Sequence, residues 1–119
     1  GRNQVGREGR KVAEGRLRVE RLLELRGVHV YLYVSLGHAY RAQQQYDEAL
    51  AAFGRAVALS PTDARAEGGR GMVYRAREEY EHAVERFQRA IELDPTYATA
   101  YAQLGWIHYG GGRFAADGF

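Results

Sequence analysis

A chain of 119 residues, 45% of them hydrophobic, is the length of one domain and can bury a modest core. Its formal net charge of +2 does not by itself mark a polyanion partner, and the absence of cysteine excludes disulfides, thiolate metal sites and a thiol nucleophile. No apolar run approaches the roughly 18 residues of a membrane-spanning helix. A soluble, cytoplasmic chain is favoured, although nothing in the composition fixes the compartment.

The charge is unevenly spread. Residues 1–29 hold eight Arg or Lys against four Glu, whereas the rest of the chain is close to balance. Residues 1–10 contain three glycines and one large apolar residue, too little to offset their ordering entropy, so a flexible basic arm is expected there. From Lys11 to Arg26 the pattern becomes helical, with Val12, Val19, Leu22, Leu23 and Leu25 largely on one face. Gly27 supplies a helix stop. The basic side chains of this stretch could track phosphates, but Glu14 and Glu20 stand four residues from Arg10, Arg16 and Arg18. That interleaving describes a solvated helix face and disfavours nucleic acid as a partner.

Val30–Arg41 reads as the next helix, followed by the polar turn Gln43-Gln44-Gln45, with Asp47 placed to cap a helix that runs to Leu59. Ser60-Pro61 ends it, and Thr62 or Asp63 caps a further helix over Ala64–Arg75. Tyr80–Leu93 is closed by Asp94-Pro95, and Tyr97–Tyr109 begins another unit. Gly110-Gly111-Gly112 then occupies a turn, and Phe114 stands where Tyr46 and Tyr80 stand in the earlier units.

These elements repeat. Tyr46, Ala49, Phe53, Arg55, Ala56, Leu59 and Pro61 recur 34 residues later as Tyr80, Ala83, Phe87, Arg89, Ala90, Leu93 and Pro95. A fixed period of that length means stacked helical hairpins, each burying its apolar face on the next. Val12, Val19, Leu23 and Leu25 fall in the same register, as the second helix of a degenerate preceding unit or as a cap. Within each unit small residues let two helices approach and aromatic residues fill the remaining space. Glu67 and Arg70, with Gly68-Gly69 between them, break that pattern. They predict that the second unit's first helix is locally loose or held by something outside the chain.

The pattern resembles the tetratricopeptide repeat (TPR) family. The first unit matches at Tyr33, Leu36, Gly37, Tyr40, Ala49, Phe53, Ala56 and Pro61, and the second at Gly71, Tyr74, Ala83, Phe87, Ala90 and Pro95. A partial third matches at Tyr101, Leu104 and Gly105, with His108 in place of tyrosine. The resemblance implies an all-α solenoid of antiparallel helix pairs, about 2.5 repeats plus an N-terminal helix. Its divisions are a flexible arm (1–10), an N-terminal helix (11–29), two full repeats (30–63 and 64–97) and a partial one (98–119).

The same resemblance implies a protein-binding scaffold, an adaptor or assembly-factor subunit that holds a peptide or helix in a concave groove. The groove positions it implies are Tyr31, Val34, His38 and Arg41, then Arg65, Met72 and Arg75, then Thr99, Ala102, Trp106 and Tyr109. Aromatic residues and arginine there suit a ligand with apolar anchors and some acidic character. Family members that clamp a chaperone's C-terminal carboxylate use lysine, asparagine and arginine. The matching positions, Val34, His38, Gly69, Thr99 and Gln103, supply none of these. The broken third unit makes self-association through the incomplete C-terminal repeat a further expectation.

No enzyme is expected. His29, His38, His82 and His108 lack metal-ligand spacing, Ser35 has no acid at useful spacing, and the triple glycine has no Lys-Ser/Thr after it. Metal, cofactor and small-molecule substrate are accordingly not expected. The alternative reading is a TPR segment of a longer enzyme, such as a glycosyltransferase or kinase.

Overall fold

The structure is a computed structural model and describes residues 2–111. Five helices follow in order: α1 (Arg2–Ala42), α2 (Tyr46–Leu59), α3 (Ala64–Ala76), α4 (Tyr80–Leu93) and α5 (Ala98–His108). The pairs α1–α2 and α3–α4 form hairpins, α2 stacks on α3 and α4 on α5, and α3 touches both α1 and α5. This is the all-α solenoid that the 34-residue period implies.

The core forms where glycine meets phenylalanine. A Cβ on Gly37 would lie 2.7 Å from the Phe53 ring, and one on Gly69 would also strike that ring, so Phe53 is held between α1 and α3. One unit later Gly71 receives Phe87 in the same way, at 2.7 Å. Phe53 and Phe87 are fully buried, as are Ala49, Ala56, Ala83 and Ala90. Two clusters result, one around Phe53 with Val30, Val34, Ala66 and Val73, the other around Phe87 with Ala64 and Ala100. Tyr40, Tyr74 and Leu104 pack against them partly buried. Gly105 differs from its counterparts, because no described atom lies within 4 Å of the position its Cβ would take.

The turns repeat as well. Gln45 N–H donates to Tyr40 C=O and Gln44 N–H to Arg41 C=O; Glu79 and Glu78 make the same bonds to Tyr74 and Arg75. Both are helix-ending motifs with one left-handed residue, here Gln44 (φ 62°) and Glu78 (φ 61°). Pro61 and Pro95 stand exposed in the other turns, after Ser60 and Asp94 have closed α2 and α4. Asp63 caps α3 by accepting from Arg65 N–H at 3.0 Å. Asp47 does not cap α2; Gln45 holds that position without a side-chain bond, and Asp47 instead reaches Arg77 at 3.3 Å.

Three expectations need correction. The first is the stop at Gly27, because α1 runs unbroken through it for 41 residues. Gly27 occupies the position of Pro61 and Pro95, but unlike proline it keeps its N–H and has no ring to clash with the preceding turn. An interior glycine costs a helix about 1 kcal/mol and does not end it. The second is the arm, since residues 2–10 continue the same helix. Once a helix is nucleated, each added residue gains a backbone bond at small cost. The stretch 11–29 is therefore an extension of the first repeat's own helix, and its apolar residues are exposed, Val12 and Val19 by more than half. The third concerns Glu67, which is 4% exposed and held from within the chain. Arg70 donates to one of its oxygens at 3.3 Å and Arg86 of α4 to the other at 3.1 Å. Gly68 beside it leaves room for Tyr97, whose ring a Cβ would meet at 2.6 Å. Phe114, with the part of the expected third unit that follows residue 111, lies outside the described residues.

Candidate concave binding site

The site is set by the ends of two equivalent helices. Arg41 and Arg75 stand 34 residues apart, each in the last turn of its helix, where a cation faces the negative end of the helix dipole. The repeated turns after them fix both helix ends alike, so stacking α3 on α1 brings the two guanidinium groups to one concavity. It measures about 310 Å³ and is lined by Arg41, Met72, Arg75, Ala76, Glu78, Tyr80 and Trp106. The Arg75 guanidinium lies 3.8 Å from the Trp106 ring centre, a cation–π contact that fixes both side chains. Tyr80 stands 6.2 Å from the same ring.

The charge in this concavity is unpaired. Of the eight arginines between residues 30 and 111, Arg65, Arg70, Arg77, Arg86 and Arg89 are in ion pairs, while Arg41, Arg55 and Arg75 form none among the described residues. The Nε atoms of Arg41 and Arg75 are buried without a hydrogen-bond partner. A buried donor left unsatisfied costs free energy that a ligand acceptor would recover. Glu78 also lines the concavity and offsets part of the charge, leaving two cations against one anion. His38, one turn before Arg41, sits edge-on to Phe53 at 5.0 Å, and its Nδ1 is 3.5 Å from the Arg41 guanidinium. Burial, and then the charge of Arg41, hold this imidazole below its ordinary 6.5.

Of the groove positions implied by the sequence, the structure therefore gathers Arg41, Met72, Arg75 and Trp106. Tyr31, Thr99, Ala102 and Tyr109 are exposed on the same helices but do not line this concavity. Val34 is a correction: at 8% exposure it belongs to the Phe53 cluster and offers little surface to a ligand. Arg65 is another, since its guanidinium is bound to Asp63 at 2.6 Å and held away from the concavity. Sequence reasoning missed Glu78 and Tyr80, which come from the turn and the second helix of the hairpin. The period itself was a usable signal, because both sit at the same turn whose first helix carries Arg75.

Among the described residues no group of three His, Asp or Glu side chains could hold a metal ion. No described helix is long and apolar enough to cross a membrane.

Comparison with known proteins bears on the same residues. The family model described as tetratricopeptide repeat matches residues 30–63, and one described as TPR repeat matches residues 71–112. Among solved structures, the crystal structure of MamA is 30% identical with a TM-score of 0.64, the match covering 70% of this chain and 48% of MamA. The chain thus spans about half of that protein. The second TPR of Spaghetti (RPAP3), bound to the HSP90 peptide SRMEEVD, is 23% identical with a TM-score of 0.65, covering 77% of this chain and 87% of that one. The TPR2B domain of yeast Sti1, in a pHsp70 complex, is 22% identical with a TM-score of 0.61, covering 71% and 72%. No curated protein sequence is significantly similar. Two repeat models that between them take in most of residues 30–112, together with the solenoid itself, make this chain a member of the tetratricopeptide repeat family.

Proposed function

We propose that this chain is a protein-interaction module, serving as an adaptor or assembly-factor subunit, that acts by binding alone. Its concave face holds a partner segment in which a carboxylate meets Arg41 and Arg75 while an apolar side chain packs on Met72, Tyr80 and Trp106. The observation that carries this reading is the pair of unpaired guanidinium groups in one concavity walled by apolar and aromatic surface. Guanidinium forks are suited to bidentate carboxylate recognition, and arginine and tryptophan are the residue types that dominate interface energetics. The RPAP3 and Sti1 structures support a protein partner, and the peptide in the first carries two glutamates and an aspartate. The chaperone clamp itself is not carried over, because Val34, Gly69, Thr99 and Gln103 offer no cation.

Trp106 is the only tryptophan, so its fluorescence reports on the site directly. Titration with short peptides pairing aspartate or glutamate with a bulky apolar residue should change that emission, and the lysine-containing counterparts should not. Losing a charge partner in a half-buried pair costs about 1–3 kcal/mol, so R41A/R75A should weaken binding by about tenfold or more. W106A, followed by calorimetry, should do likewise. Unchanged affinity in both variants would discard the site.

A further inference from the structure

Because α1 continues through Gly27, it brings into phase two groups of residues that a helix stop would separate. Leu22, Leu25, His29, Leu32, Leu36 and Ala39 follow one another at intervals of three and four residues, the heptad spacing of a coiled-coil seam. The leucines are open to solvent, at 65% for Leu22, 43% for Leu25, 55% for Leu32 and 42% for Leu36. The face that packs on α2 is formed by Val30, Tyr33, Gly37 and Tyr40; of the seam leucines Leu36 borders it, lining a hollow with Ala51, Ala52 and Arg55 of α2. The seam's counterpart in α3 shows what such a face ordinarily does: Ala66, one period after Leu32, is fully buried in the cluster that contains Ala56 of α2. On α1 no described element covers Leu22, Leu25 or Leu32.

We propose that the seam pairs with itself, α1 of one copy packing antiparallel against α1 of a second copy in a short two-helix coiled coil. Knobs-into-holes packing requires a partner helix whose apolar residues recur at the same spacing, and the same helix in a second copy has it. A contact of this kind is isologous and closes as a dimer without leaving a free face. Charge decides the orientation. Parallel pairing sets Arg21 against Arg26 of the second copy on both flanks, a repulsion of like charges. Antiparallel pairing sets Leu25 against Leu36, Leu22 against Ala39 and His29 against Leu32, with Arg26 beside Tyr33 and no like charges facing each other. The pairing uses neither the groove nor the C-terminal end of the solenoid, so it stands or falls apart from the function proposed above.

The test is sedimentation of the 119-residue chain over about a hundredfold range of concentration, since a dimer of this kind follows mass action. The expected mass at high concentration is twice 13.4 kDa. L25E/L32E should stay at the monomer mass with its helical circular dichroism and cooperative unfolding retained. A parent chain that remains monomeric, or a dimer indifferent to L25E/L32E, overturns the proposal. Orientation is read by cysteines placed in the cysteine-free chain. Oxidised L25C/L36C should run as a covalent dimer and L32C alone should not, whereas rapid self-linkage of L32C would overturn the antiparallel arrangement.

Discussion

Glu67 is the position where packing energetics can be tested most directly. Its family pattern calls for an aromatic residue, yet it carries a carboxylate 4% exposed between Arg70 and Arg86 at 3.3 and 3.1 Å. Breaking a buried ion pair by removing one partner costs about 3–5 kcal/mol, because the remaining charge is left without compensation. Here the two arginine side chains are 27% and 30% exposed and can turn toward water once released. That relief puts the loss for E67A below that range, at about 2–3 kcal/mol. Replacing all three charges by apolar groups removes the desolvation cost with the attraction, so E67L/R70L/R86L should recover most of the loss or exceed the parent. Urea unfolding followed by helical circular dichroism, with an unchanged dependence on denaturant, measures each difference. A Glu67–Arg86 double-mutant cycle isolates the pairwise part, which should exceed about 1 kcal/mol. A loss below about 1 kcal/mol in E67A, with no coupling to Arg86, would refute the account of how α3 is held.

Two further outcomes follow from the same packing. His38 titrates lower folded than unfolded, so the unfolded chain binds more protons between the two values. Stability should therefore rise with pH across that window and fall as pH drops through 6.5, the ordinary value, toward the lowered one; His38→Gln should flatten the urea midpoint over that range. The glycines should also split by environment. Gly71→Ala forces a Cβ to within 2.7 Å of the Phe87 ring and should cost about 1–3 kcal/mol, whereas Gly105→Ala meets no described atom within 4 Å and should gain about 1 kcal/mol of helix propensity. Thermal unfolding of the two variants checks this, and equal effects of the same sign would contradict the close-approach reading.

The fold was legible where one residue type had one physical use. Phe53 and Phe87 need glycine opposite them, and the 34-residue spacing of both partners shows in the chain itself. The ends of α2 and α4 were legible for the same reason, because proline after Ser60 and Asp94 cannot continue a helix. Gly27 was not. Glycine both ends helices and sits inside them, and only the flanking backbone decides between the two uses. Glu67 was misread because polarity alone says nothing of partners, and Arg86 lies on another helix, 19 residues away. The groove was half legible. Repeat register located the first-helix positions Arg41, Met72, Arg75 and Trp106, but it assigned Val34 a surface that the Phe53 cluster takes. It also left out Tyr80, which enters from a second helix.

The two proposed surfaces do not compete for α1. Arg41, the residue of α1 that lines the concavity, follows Leu36 by five residues, a rotation of about 140° at 3.6 residues per turn, so the seam and the groove face well apart. A chain paired through Leu25, Leu32 and Leu36 would therefore keep Arg41, Arg75 and Trp106 open in both copies. Two grooves held at a fixed separation turn the second contact with a bivalent partner into an intramolecular event, raising avidity without a new contact. The consequence separates the two surfaces experimentally. L25E/L32E should leave the affinity for a single peptide unchanged and lower only the affinity for a tandem one, whereas R41A/R75A should lower both. A loss of single-peptide affinity in L25E/L32E would mean that the seam and the groove are one surface.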